Sequence, residues 1–362
     1  MSVRQETPDT RQVTRDGDRT VAVSVHALDA RSLRAAFLDL VGRPPYRREI
    51  AEWSRRGLDE LLEHVLQTGE FWSNWLEEQL YFFLLVDAFR PRSERVLATP
   101  ADMAQGRVGV REALLRIALC PSFDRRNPGP DTFVTVVMEQ LLGTTVQKRA
   151  RELDIGKSVY DGAPGRFLGR MGDSQADVVK IAIEGRQALR YFLEREHARI
   201  LRSEPESKDL SRWTRELEAD DRGYAKILGE GFLSQAYARR LETFAPLPSR
   251  AYVRALFVDL TDALPGEDEQ QRLCNALDGL ADAGPLRAVI ARLVIDSDEV
   301  PKLERAAIED PTRWVGELFE RLLGRAASTD ELKAFVSAFH DESCTPATVV
   351  YAIVSHPEYP TW

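Results

Sequence analysis

Cysteine is scarce in this chain: three in 362 residues. Cys120, Cys274 and Cys344 lie far apart and are odd in number. That argues against a disulfide-stapled framework and for reduced thiols in a cytosolic protein. Histidine is scarce too, and only His340, Cys344 and His356 come near one another in sequence. No second His or Cys pair completes four ligands, so no metal is expected. No apolar run approaches the roughly 18 residues that span a bilayer. The opening stretch MSVRQETPDTRQVTRDGDRT has no apolar h-region, so no secretory leader is expected. Excess positive charge is absent as well. The formal net charge is −9, which argues against nucleic acid as the main partner.

Catalytic signatures are missing in the same way. There is no Gly-x-Ser-x-Gly elbow for a nucleophilic serine and no Cys-x-x-Cys-His for haem. Gly156-Lys157-Ser158 ends like a phosphate-binding loop, but Arg151 stands where its first glycine belongs and no apolar strand precedes it. Carboxylate pairs carry no signal among 58 acidic residues. No cofactor is implied.

What is present is a recurring pattern. Leu33, Ala36, Phe37, Leu40 and Val41 are followed by Gly42-Arg43, and Val315, Leu318, Phe319, Leu322 and Leu323 by Gly324-Arg325. Val134, Val137, Met138, Leu141 and Leu142 run into Gly143, and Val253, Leu256, Phe257 and Leu260 repeat the spacing. Each is an i, i+3, i+4, i+7 stripe, most of them closed by a glycine, which predicts amphipathic helices with glycine stops. Downstream of the last stripe, Ser328–Glu331 forms a capping box, and Thr345-Pro346 an N-cap with proline at the first helical position. Counted from the stripes, Glu49 and Glu269 fall on Glu331. The unit closes on Ser355-His356-Pro357-Glu358-Tyr359, with echoes at Cys120–Phe123, Ser234–Tyr237 and Ser297–Val300.

These registers predict an all-α protein of repeated three-helix units, packed into one or two bundles with little or no sheet. Six units begin near residues 33, 76, 134, 189, 253 and 315, the second and fourth being degenerate. Residues 1–27 are charged, Thr-rich and aperiodic, and read as a disordered arm that places the first boundary at residue 30. Helical units then fill 31–202, with a glycine-rich insertion at 156–174. A charged stretch at 203–250 reads as a helical connector, and 251–362 as the C-terminal units.

Phe319-Glu-Arg-Leu-Leu-Gly-Arg325, Ser328–Glu331 and Ser355–Tyr359 together resemble an uncharacterised bacterial helical repeat, similar in pattern to the phycobilisome linker domain. Phe37-Leu-Asp-Leu-Val-Gly-Arg-Pro-Pro45 also resembles the helical domain of planctomycete cytochrome-associated proteins. The resemblance covers about half of the chain. It implies an all-helical protein-binding module with no catalytic residues to carry over. Two departures stand out: Ala150 occupies the position of Glu331 in the third unit, and the fourth stripe ends in Asp262-Ala263 rather than Gly-Arg.

Two candidate sites follow. Gly162, Gly165, Arg166, Gly169 and Arg170 form a glycine-arginine loop whose N–H groups and guanidiniums suit an anion or a protein partner. The alternative is a mobile insertion whose glycines serve turns. Phe71, Trp72, Trp75, Tyr81, Phe82 and Phe83 form an aromatic cluster, either core between the first two units or a partner groove. Adjacent Phe82 and Phe83 cannot point the same way on one helix. The leading expectation is a non-enzymatic cytoplasmic scaffold or adaptor that binds protein partners through helical faces and the 156–174 loop. The alternatives are an anion- or small-molecule-binding protein or enzyme with its site under that loop, and a self-assembling subunit.

Overall fold

The computed structural model describes residues 28–84 and 93–361. The arm expected at 1–27 lies outside them. The fold is all-α, and each of the six expected starts falls in a helix. α1 (Ala30–Val41), α2 (Arg47–Trp53) and α3 (Leu58–Val65) come first. α4 (Gly69–Leu84) follows, then a short α5 (Glu94–Leu97), α6 (Thr99–Ala104) and α7 (Val110–Ala118). A short α8 (Pro121–Arg126) leads into α9 (Gly129–Leu142) and α10 (Ala150–Tyr160). The hairpin of β1 (Gly165–Phe167) and β2 (Arg170–Gly172) precedes α11 (Gln175–Glu184). α12 (Arg186–Leu201), α13 (Ser207–Ala219) and α14 (Tyr224–Phe232) form the fourth group, followed by a short α15 (Gln235–Leu241). The last two are α16 (Ser249–Thr261), α17 (Glu267–Asp278) and α18 (Gly284–Asp296), then α19 (Pro311–Leu323), α20 (Thr329–His340) and α21 (Pro346–Val354).

The helix punctuation predicted from sequence is present. Gly42, Gly143 and Gly324 end α1, α9 and α19 in the left-handed conformation, at φ 71°, 61° and 66°. Beyond two of these stops the following arginine clamps the next helix. Arg43 donates to both Glu49 oxygens, at 2.7 and 3.0 Å. Arg325 donates to both Glu331 oxygens, at 2.9 and 2.8 Å, and to both Glu358 oxygens, at 3.0 and 2.7 Å. In each corner the same carboxylate accepts the first N–H of its helix, from Tyr46 at 2.7 Å and from Ser328 at 2.8 Å. Each guanidinium also lies near an aromatic ring six residues earlier, Phe37 at 5.5 Å and Phe319 at 5.4 Å.

By contacts the chain forms two compact units that do not follow the linear divisions at 202 and 250. One unit runs to Leu62 and resumes at Leu241, and the other is Glu63–Arg240. The first repeat therefore packs with the last two: α1 lies against α19, where the bare Gly324 gives room to the backbone of Arg31. The expected connector is divided as well, because 203–240 is part of the second unit and buries Leu210, Trp213 and Leu217 in it.

Among the described residues each unit contains one buried carboxylate. In the first, Arg34 donates to both oxygens of Asp259 at 3.0 and 2.8 Å, and the Tyr359 hydroxyl donates to Oδ2 at 2.8 Å. The tyrosine of the closing box is thus a core residue. In the second, Glu196 accepts from Gln79 at 3.0 Å, Tyr224 at 2.8 Å and Arg199 at 2.9 Å. Burial pushes the Glu196 carboxyl up, but Arg199, Arg195 and the hydrogen bonds outweigh it and hold the group at about 2.

Two outcomes are expected. Glu196→Ala strips a buried charge network of its only carboxylate and costs about 3–5 kcal/mol in urea unfolding, with Glu196→Gln costing less; equal losses for the two would contradict this account. The Arg325 and Ser328 hydrogen bonds hold Glu331 down at about 2, from an ordinary value of 4.5. Its stabilisation is therefore complete above pH 4.5 and fades as pH falls toward 2. Partly exposed as the pair is, Glu331→Gln costs about 1 kcal/mol at pH 7, and its Tm deficit against the unsubstituted chain shrinks across that acid window.

Candidate functional site

The 156–174 insertion carries regular secondary structure, and its first residues lie in α10. The rest forms an antiparallel hairpin with Gly165 opposite Gly172, Arg166 opposite Met171 and Phe167 opposite Arg170. The two-residue turn between the strands has Leu168 at φ 46° and Gly169 at φ 84°. Positive φ at both positions matches the strand twist of a tight hairpin. Two bonds fix the turn: Leu168 N–H donates to Glu152 of α10 at 2.9 Å, and Arg166 Nε donates to the Gly169 carbonyl at 2.9 Å.

The glycines are required by close approach. A Cβ at Gly156 would stand 2.6 Å from Val134, one at Gly165 2.9 Å from Val159, and one at Gly172 2.9 Å from Asp177. The hairpin therefore lies directly on α10 and α11, with the Phe167 ring fully buried beneath it. Paired residues share a face, so Phe167 and Arg170 lie on one side of the hairpin, where Phe167 is buried but the Arg170 side chain stays exposed. Arg166 and Met171 lie exposed on the other. Met171 is 68% exposed. Gly162, at φ 90°, only turns the chain out of α10. Lys157 of the phosphate-loop lookalike is helical and pairs with Asp131 at 2.5 Å.

A cleft of about 350 Å³ opens beside the hairpin, lined by Arg149, Arg170 and Arg186 together with Glu152 and Gln187. The N-terminus of α12, at Gly185–Arg186, adds its positive end to this wall. Gln187 is fixed by donating to the Leu142 carbonyl at 2.8 Å and Thr144 at 2.7 Å, and it accepts from Arg149 at 3.1 Å. Arg170 pairs with Glu184, and Arg186 lies 3.4 Å from Glu218. Arg149 is held by a neutral amide. Of the five loop residues singled out from sequence, only Arg170 reaches this cleft. Arg149 and Arg186 were missed because they sit at the starts of α10 and α12, 37 positions apart in the chain, with no local pattern linking them.

The aromatic candidates are placed differently. Phe83 is buried and meets Phe123 edge-on at 6.3 Å between centroids. Phe82 is half-buried under the Arg195 guanidinium, 3.9 Å from its ring centroid. Trp72 and Trp75 pack with Tyr224 in the core of the second unit. The cluster is core, not groove, and only Tyr81 is substantially exposed. Among the described residues no group of three or more His, Cys, Asp or Glu is placed to hold a metal, and no helix is long and apolar enough to cross a membrane.

Phe167 is the anchor of the hairpin, so Phe167→Ala is expected to cost about 3–5 kcal/mol. Amides of 165–172 should lose hydrogen-exchange protection while far-UV helicity persists; retained protection would mean that the strands are held by something else. Comparison of the chain with protein-family models, curated proteins and solved structures gives no match.

Proposed function

We propose that this chain is a non-enzymatic scaffold or adaptor that binds other proteins in a bacterial assembly, with the hairpin as its principal contact element. One observation carries this reading: the hairpin is locked onto two helices by Phe167 and three bare glycines, yet holds Arg166 and Met171 outward. A rigid platform presenting a guanidinium and a deformable thioether suits recognition, since little ordering entropy is lost on binding. The buried charges Glu196 and Arg34 are each held in ion-pair networks inside a core, which is a structural use of charge.

A second reading is favoured by the arginine cleft. Three guanidiniums and a helix N-terminus converge on about 350 Å³, which suits a small multivalent anion.

The two separate experimentally. The tagged chain is used to capture partners from its host and compared with the Arg166→Ala/Met171→Ala double variant. Loss of a stoichiometric partner with unchanged helicity supports the scaffold. Capture of the same partner by both proteins, or of none by either, removes the hairpin from the role. Inorganic phosphate binding abolished by Arg149→Ala, with partner capture intact, moves the assignment to the cleft.

A further inference from the structure

A second cleft lies wholly within the unit formed by the first and last repeats, and nothing above gives it a role. It encloses about 380 Å³ between the start of α2, the end of α16, the segment at 300–303, α19 and α21. Most of its wall is apolar, with Trp314, Leu318 and Val350 prominent, and two guanidiniums, Arg47 and Arg321, complete it. Among the described residues neither of these side chains has a carboxylate within ion-pairing distance.

The carboxylates nearby are already engaged. Asp259 also lines the cleft, but Arg34 takes both its oxygens and Tyr359 donates to one of them. Glu317, at the rim, pairs with Arg313 at 2.7 Å. Three arginines thus stand around one occupied carboxylate, and two of them face open space. Burial holds the Arg321 guanidinium below its usual pKa; Asp259 pulls the other way, while Arg47 and Arg34 repel it. A cation in that position gains most from an anion placed between it and Arg47.

We propose that this cleft binds a carboxylate carried on an aromatic or branched apolar body, with Arg47 and Arg321 gripping the carboxylate and Trp314 and Leu318 covering the body. The polar grip is charge-assisted, with Arg321 half-buried in the wall and Arg47 at the exposed rim. Benzene fits a cavity of roughly 150 Å³, so this cleft accommodates a ring with a short chain. A neutral ligand of the same shape leaves both guanidiniums unmatched and binds weakly. The same chemistry occurs in a free aryl-alkyl acid and in the C-terminal carboxylate of a peptide with an apolar last residue. The inference does not depend on the scaffold reading.

The test is calorimetric titration of the full chain with 4-phenylbutyrate, with its primary amide, and with an acetylated peptide ending in phenylalanine with a free carboxylate. One saturable site is expected for a carboxylate, with the amide about tenfold weaker. Tighter binding of the free acid identifies a small-molecule site, and tighter binding of the peptide a partner's C-terminus. Arg47→Gln, at an exposed position, should weaken the carboxylate by about tenfold and leave the amide unchanged. Arg321→Gln should do the same, with Tm recorded for both; its backbone carbonyl, which accepts from Arg34 at 3.2 Å, is retained. Equal affinity for acid and amide, unaltered binding by Arg47→Gln, or saturation by neither carboxylate would overturn the proposal.

Discussion

The corner at the end of the first helix of each repeat is the constraint on which the rest of the fold depends. A helix stop leaves carbonyls without partners, and the next helix start leaves N–H groups without partners. Gly42 and Gly324 turn the chain in the left-handed region, where a side chain would be strained. The arginine that follows reaches over the turn and takes the carboxylate at the third position of the next helix in a two-pronged grip. That carboxylate in turn caps its own helix. One glycine, one arginine and one glutamate therefore set the angle between two helices, and the apolar stripes then face a common core.

The corners that depart from this chemistry are repaired in other ways. The third repeat has Thr144 in place of the arginine and Ala150 in place of the glutamate, and there Gln187 of α12 donates to the Leu142 carbonyl instead. In the fifth repeat Asp262 adopts φ 58° without being glycine, and its carboxylate accepts the N–H of Arg47 at 2.8 Å. Aspartate tolerates this conformation better than most residues. Both contacts join distant parts of the chain, 45 and 215 positions apart.

Buried charge plays a parallel part in the two units. Asp259 with Arg34 and Tyr359, and Glu196 with Arg199 and Tyr224, each combine one carboxylate, guanidinium and phenol in a core. Such a network adds little net stability over well-packed apolar side chains, yet losing one partner is costly. The hairpin follows the opposite logic. It is held by close packing over glycine and by one buried ring, with Arg170 at the cleft and Arg166 on the outer face.

The helices, their stops and the repeat were legible in the sequence because they are local. A stripe of period 3.6 ending in Gly-Arg, or Ser328 three residues before Glu331, expresses its chemistry within one or two turns. The pairing of repeats was not legible. Periodicity says which face of α1 is buried but not against what, and only the folded chain brings it to α19 rather than to the helices that follow it. Arg34, Asp259 and Glu196 carry no local sign of their burial, since their partners lie up to 225 positions away. The hairpin went unseen because its strands are three residues long, too short for alternation to register, and its glycines read as flexibility until α10 and α11 were seen to require their missing side chains. The two arginine clefts belong wholly to tertiary structure, because Arg149 meets Arg186, and Arg47 meets Arg321, only once the helices between them have packed.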